Sequence, residues 1–272
     1  MDNNANNPPQ AKGMIRRFLD QPADSVSKTI FVAVALCLLA SMFVSAAAVA
    51  LRPLQEVNAL KDKQINILQV AGIYDPGKDV QEAFAVFQPK VLELATGRFT
   101  DQFDPASFDD RAAADDPATS VALSEDPAAI GRKGKFVTVY ILPDDQGRVD
   151  KVILPVHGYG LWSTLYGFIA LEENGNDIFG LQFYEQGETP GLGAEVDNPR
   201  WKALWKGKKL ADENGKLQIN VSKHQTAAGP DYHIDALAGA TLTSAGVHNL
   251  VNFWMGEQGF APFLNNLKAG NL

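Results

Sequence analysis

The chain has 272 residues, with 24 Lys and Arg against 32 Asp and Glu, which gives a formal net charge of −8. Its 46% hydrophobic and 21% charged residues are those of a folded protein and exclude a disordered, collagen-like or fibrous chain. The acidic balance excludes sequence-independent nucleic-acid binding, and the single cysteine, Cys37, excludes an intramolecular disulfide framework or a cysteine cage for zinc or iron–sulfur built from this chain alone.

Taken from the N-terminus, residues 1–28 form a short polar tail, expected on the cytoplasmic side. The run Thr29–Leu51 then holds no charged residue over 23 positions. As a helix at about 1.5 Å per residue it is roughly 35 Å long, enough to cross a hydrocarbon core of about 30 Å. Ala48-Val49-Ala50 offers a signal-peptide-like cleavage site. Secretory apolar cores run about 7–15 residues, however, and the long preceding tail carries Asp2, Asp20 and Asp24. A membrane anchor is therefore expected. Lys12, Arg16, Arg17 and Lys28 precede the span and Arg52, Lys61 and Lys63 follow it, so the positive-inside count favours an N-in orientation by 4 to 3. The chain after Leu51 carries a net −9 and should not adhere to an anionic membrane surface.

Residues 52–100 are expected to be a stalk and a helical region. Leu54, Val57, Leu60, Ile65 and Leu68 recur at near-helical spacing, with Gly72 as a stop signal. A second helix is expected over Val80–Leu94, interrupted at Pro89. Residues 101–134, rich in Asp, Ala and Pro, are expected to form a long acidic surface excursion. From 135 to 272 the pattern changes to an α+β domain. The strand-like runs are 136–142, 149–156, 165–171, 178–185 and 217–222, bounded by Gly- and Asn-containing turns that fit antiparallel hairpins.

No Walker A loop, G-x-S-x-G elbow or H-E-x-x-H occurs, and His157, His224, His233 and His248 have no metal-ligand spacing, so no metal site is expected. Three glycine-containing segments carry the interest: Gly158–Trp162, Gly187–Gly193 and Asp235–Ser244. Val247, Leu250, Val251 and Trp254 follow the third at i, i+3, i+4 and i+7, so a helix begins near Leu242 with Thr241 at or beside its N-cap. Unpaired N–H groups and the positive dipole end face that position, and Gly239 and Ala240 leave it unobstructed, which suits a phosphate. The competing reading is that Thr241 simply caps its own helix. The second segment is a tight turn with Leu192 at its centre, able to press on a flat ring. The first places Tyr159 and Trp162 where an aromatic stacks on a ligand or covers core. Together they supply what a nucleotide-like cofactor requires.

These segments, in this order behind one span and the stalk LKDKQINIL, closely resemble the FMN-binding NqrC family of the sodium-translocating NADH:quinone oxidoreductases. The resemblance covers nearly the whole chain. It implies a single transmembrane helix followed by an extracytoplasmic FMN-binding domain on the outer face of a bacterial inner membrane. It implies that FMN is joined covalently through its phosphate to Thr241 by a flavin transferase that recognises Asp235, Gly239 and Ala240. Ala238 departs from the family pattern, which often has Ser or Thr there. It further implies that Gly160, Trp162, Glu188, Thr189, Leu192, Gly193 and Thr243 border the flavin, with Lys223 supplying a charge nearby.

The function so implied is a one-electron relay through a tethered FMN within a respiratory complex that moves electrons from NADH to quinone and exports Na+. NADH oxidation belongs to other subunits, since no G-x-G-x-x-G lies between a strand and a helix. Sodium transport also belongs elsewhere, because the span has no ionisable group besides Cys37. The expected partners are those NADH-oxidising, quinone-reducing and integral membrane subunits, the transferase and membrane lipid. Two alternatives stand beside this reading: the homologous covalent-flavin subunit of the related ferredoxin-linked electron-transport complex, and a non-enzymatic membrane-anchored binding or assembly domain.

Overall fold

The computed structural model describes Phe18, Pro22 and residues 25–271. Most of the 1–28 tail, with Lys12, Arg16 and Arg17, therefore lies outside the described residues. The chain divides into two compact units, Met1–Ala59 and Leu60–Leu272.

The described residues of the first unit are almost all helical. Helix α1 covers Val26–Val70. Its apolar stretch is long enough to cross a membrane, and none of that stretch is buried within the protein. Ile30, Phe31, Leu36, Met42, Phe43 and Val49 are all more than half exposed. A helix apolar on every side needs an apolar surround, which a bilayer supplies.

The second unit is built on a six-stranded antiparallel sheet in the order β2-β1-β5-β6-β7-β8. Its strands are β1 (Gln88–Glu93), β2 (Arg98–Thr100), β5 (Phe136–Pro143), β6 (Val149–Tyr159), β7 (Thr164–Glu172) and β8 (Ile178–Glu185). Alternate residues of each strand feed two cores. Val139, Ile141, Val152, Leu154, Ile169 and Leu171 face one core, which is closed by helix α5 (Thr241–Met255) and helix α6 (Ala261–Lys268). Tyr140, Leu142, Ile153, Phe168 and Ala170 face the other, where Ile67, Leu68 and Val70 from the last turns of α1 pack. Gly72 ends α1 at φ +76°, with the Ile73 N–H donating back to the Leu68 carbonyl.

Three expectations are corrected. The helix predicted over Val80–Leu94 stops early: α2 covers only Val80–Phe84, and from Gln88 the chain becomes β1. Pro89 cannot continue a helix, whereas pairing with β5 satisfies the backbone and buries Val91 and Leu92. The sheet thus recruits residues 88–100, upstream of the boundary expected at 135.

The excursion at 101–134 is structured. It holds helix α3 (Asp110–Asp115), capped by Asp109, and a ribbon of β3 (Ser120–Ala122) with β4 (Arg132–Gly134), and it buries Ala113, Ser120 and Ala128. Finally, the run at 217–222 contributes only β9 (Asn220–Ser222). That strand pairs in parallel with β10 (His233–Asp235), outside the main sheet. The other four predicted strands are β5 to β8 within a few residues at their ends.

Candidate functional site

The end of β6, the turn after β8 and the start of α5 meet at one place. Helix α5 approaches the end of β6 closely, since a Cβ on Gly246 would stand 2.5 Å from the Tyr159 carbonyl oxygen. The three glycine segments are joined there by the Glu188 carboxylate. Its Oε1 accepts from the backbone N–H groups of Leu161 (3.0 Å), Trp162 (2.9 Å) and Ser163 (3.3 Å). Its Oε2 accepts from Thr243 Oγ1 at 2.6 Å. Ser163 Oγ in turn accepts from the Gly187 N–H at 2.6 Å.

Glu188 is 5% exposed and Thr243 1%. Burial by itself raises the carboxyl pKa, but the bonds from Thr243 and the three N–H groups outweigh it and hold the group below the ordinary glutamate value. These two residues, both expected to border the flavin, are hydrogen-bonded to each other. Gly160 and Gly193, also expected to border the flavin, lie against the same carboxylate. A Cβ on Gly160 would lie 2.6 Å from Glu188 Oε1, and one on Gly193 would lie 2.6 Å from Oε2 and 2.5 Å from Thr243 Oγ1. Both glycines make room for the carboxylate.

The segment leading to Thr241 is also built. Trp201, on the short helix α4 (Pro199–Ala203), donates its Nε1–H to the Asp235 carbonyl at 2.8 Å. Ser244 Oγ accepts from the Leu237 N–H at 2.9 Å and donates to the Ala240 carbonyl at 2.9 Å. The Ala236 N–H donates to the Ser222 carbonyl at 3.1 Å. Leu237 and Ala240 are buried, while Asp235, Gly239 and Thr241 are exposed. His233 Nε2 and the Asp235 carboxylate are 3.1 Å apart.

Thr241 is the first residue of α5 rather than its cap. Ala240 occupies the cap with no side-chain hydrogen bond, which removes the reading of Thr241 as a simple helix cap. The Thr241 hydroxyl makes no hydrogen bond among the described residues, and Thr241 is exposed at the start of a helix whose first-turn N–H groups no cap side chain satisfies. An exposed hydroxyl, small neighbours and free N–H donors fit a phosphoryl group.

Large apolar side chains of the three segments are exposed instead of buried: Trp162 is 66% exposed, Leu242 60%, Tyr159 44% and Leu192 43%. Leu192 reaches across to the Thr241 segment, since a Cβ on Gly239 would stand 3.1 Å from Leu192 Cδ2. Thr189 is exposed with its hydroxyl unbonded among the described residues, as a ligand contact requires, and its carbonyl accepts from the Leu192 and Ala194 N–H groups. Lys223 is exposed and follows Ser222, the register partner of Asp235. It makes no ion pair among the described residues.

Sequence reasoning missed Trp201, Ser163 and Ser244 as supports of this site. Ser244 lies within the third segment. Nothing in the sequence links Trp201 to Asp235, 34 residues on, and only the fold brings them together.

The chain is similar to known proteins. The FMN-binding domain family matches residues 160–256, which include most of all three segments. The chain is 50% identical over 256 residues to the C subunit of the Na(+)-translocating NADH-quinone reductase of Pseudomonas aeruginosa, covering 91% of this chain and 98% of that one. It is 48% identical over 252 residues to the corresponding protein of Vibrio vulnificus, covering 92% and 98%. Among solved structures, Shewanella oneidensis NqrC superposes with a TM-score of 0.72 at 38% identity, covering 77% of this chain and 98% of that one. The corresponding protein of Parabacteroides distasonis gives 0.63 at 27% identity, covering 79% and 96%.

Proposed function

The chain belongs to the NqrC family, the C subunits of the Na+-translocating NADH-quinone reductases, and from this we propose that Thr241 carries FMN through a phosphoester bond and that the domain relays single electrons within that complex. The observation that carries the reading is the Thr241 hydroxyl, exposed and unbonded at the head of α5 within a segment pinned by Trp201 and Ser244. Forming the ester joins the Thr241 oxygen to the flavin phosphorus of a flavin phosphoanhydride donor, whose P–O–P bond breaks as its other phosphate leaves and the hydroxyl proton is lost, so a hydroxyl already spent on a cap bond would be a poor acceptor. Asp235 and Gly239, exposed before it, and Ala240, buried at its cap, are the residues a flavin transferase would read.

When bound, the flavin supplies one-electron redox chemistry at a fixed position. The chain's own residues bind and orient it. First-turn N–H groups of α5 hold the phosphate, Trp162 and Leu192 cover the ring, and the free Thr189 hydroxyl bonds a polar atom of the ring or ribityl chain. Lys223 stands beside the acceptor segment as a positive charge. NADH oxidation, quinone reduction and Na+ passage fall to the other subunits of the complex. The apolar half of α1 anchors the chain in the membrane lipid of the bacterial inner membrane, with the N-terminal tail inside and the domain on the periplasmic face. The 50% identity to an NADH-quinone reductase protein over nearly its full length favours the sodium pump over the ferredoxin-linked complex.

The test is flavin fluorescence on a denaturing gel of the full-length chain from its own membranes. Wild type should fluoresce after denaturation and Thr241→Ala should not. Fluorescence equal in both would place the flavin on another residue. For the orientation, Lys223→Cys should react with a membrane-impermeant thiol reagent on intact cells; protection until lysis would reverse it.

A further inference from the structure

Among the described residues Glu188 is the only carboxylate-bearing residue in the buried set, and no lysine, arginine or histidine pairs with it. Burying an ionised carboxylate without a counter-charge is costly, and neutral donors offset that cost only in part. Here the donors are three backbone N–H groups and one hydroxyl, all dipoles, so a full negative charge stays in the protein. Gly160 and Gly193 are both kept free of a Cβ by its two oxygens. If tying loops together were all that was needed, a glutamine of the same shape would do it: its oxygen accepts the N–H groups and its amide donates to Thr243. The charge calls for an explanation of its own.

Its position supplies one. Glu188 is one hydrogen bond from Thr243, which shares the first turn of α5 with Thr241. The same carboxylate holds the backbone of Leu161 and of Trp162, whose side chain is 66% exposed. The N-terminal dipole of α5 on its own favours negative charge on any group held at Thr241. A fixed anion bonded to the first turn of the helix opposes that field.

We propose that Glu188 is an electrostatic tuning residue that lowers the reduction potential of the flavin carried on Thr241. This rests on the reading of Thr241 as the flavin carrier. The hydrogen bonds fix where the charge sits, and the charge disfavours addition of an electron to the ring.

The test is a redox titration of the flavin in the full-length chain, purified in detergent from cells that attach it, as wild type, Glu188→Gln and Thr243→Val. The glutamine keeps size and bonding and removes the charge; the valine removes one bond and keeps the charge. The midpoint potential should rise in Glu188→Gln and stay level or fall in Thr243→Val. A Glu188→Gln potential at or below wild type, or an equal rise in both variants, overturns the proposal. Should Glu188→Gln not accumulate as folded protein, the wild-type reduced-minus-oxidised infrared spectrum, with glutamate side chains labelled with 13C at the carboxyl, decides. Reduction should perturb an ionised glutamate band, and a spectrum lacking one overturns the proposal. A wild-type chain that carries no flavin sinks the underlying reading and the tuning role with it.

Discussion

Gly193 lies against Glu188 so closely that a Cβ added to it would stand 2.6 Å from Oε2 and 2.9 Å from Glu188 Cβ. A glycine in a turn is usually explained by its backbone conformation, but Gly193 has no positive φ, unlike Gly191 at +75°. Space for the carboxylate is its reason. Gly193→Ala should therefore displace Glu188 and cost about 1–3 kcal/mol, the usual range for overpacking. Gly191→Ala, where nothing lies within 4 Å, should cost only about 1 kcal/mol from backbone strain. Denaturant unfolding of both variants checks this, and a Gly193→Ala no worse than Gly191→Ala would refute it.

Ser244 bonds two backbone groups of the acceptor segment at once, from a position 2% exposed. Ser244→Ala leaves the buried Leu237 N–H without its partner and should cost about 1–3 kcal/mol. It should also slow flavin attachment without abolishing it, because Thr241 is untouched. A time course of modified mass during co-expression with the transferase measures that, and an unchanged rate would mean that the segment needs no such brace.

Burial and the nearby Arg111 guanidinium push the His157 imidazole down to about 4, against a smaller upward pull from Asp126. Its ring stacks on Tyr166 with centroids 5.4 Å apart and lies 4.9 Å from Trp254. The unfolded chain takes up the proton as pH falls through 6.5, while the folded one resists until about 4. Stability is then full at neutral pH and is lost as pH falls from 6.5 towards 4, by about 3 kcal/mol from this group. His157→Gln should flatten the unfolding midpoint across that window, and an unaltered slope would show that other groups carry it.

Arg111, on α3 of the acidic excursion, lies 3.7 Å from the Tyr166 ring centroid and 2.6 Å from Glu185 Oε2. Both ends of the ion pair are about half exposed, so the pair alone should contribute no more than about 1 kcal/mol. Arg111→Lys should keep part of the pair and lose the stacking geometry. A double-mutant cycle with Glu185→Gln separates the two, and a coupling energy equal to the whole loss in Arg111→Ala would leave nothing for the stack.

What the sequence revealed follows from which interactions are local. The strands at 136–142 and 149–156 alternate between two cores, and that alternation is visible in their residues. The α5 face at Val247, Leu250, Val251 and Trp254 is equally plain, and all four are buried. At Pro89 the apolar pattern around Phe84, Phe87 and Val91 reads as helical, yet pairing with β5 decides the outcome. The role of Glu188 was hidden for the same reason. Its partners lie 25–27 residues before it and 55 after it, and a motif can name a residue without saying which way its side chain turns.

The central claim is the phosphoester at Thr241. It is tested most directly by the intact mass of the full-length chain from its own membranes, with peptide mapping across Asp235–Met255 and the same measurement on Thr241→Ala. The wild-type chain should be heavier by one FMN less one water, the increment should map to Thr241, and the mutant should have its unmodified mass. An unmodified wild-type mass, from cells that attach flavin to other targets, would contradict it.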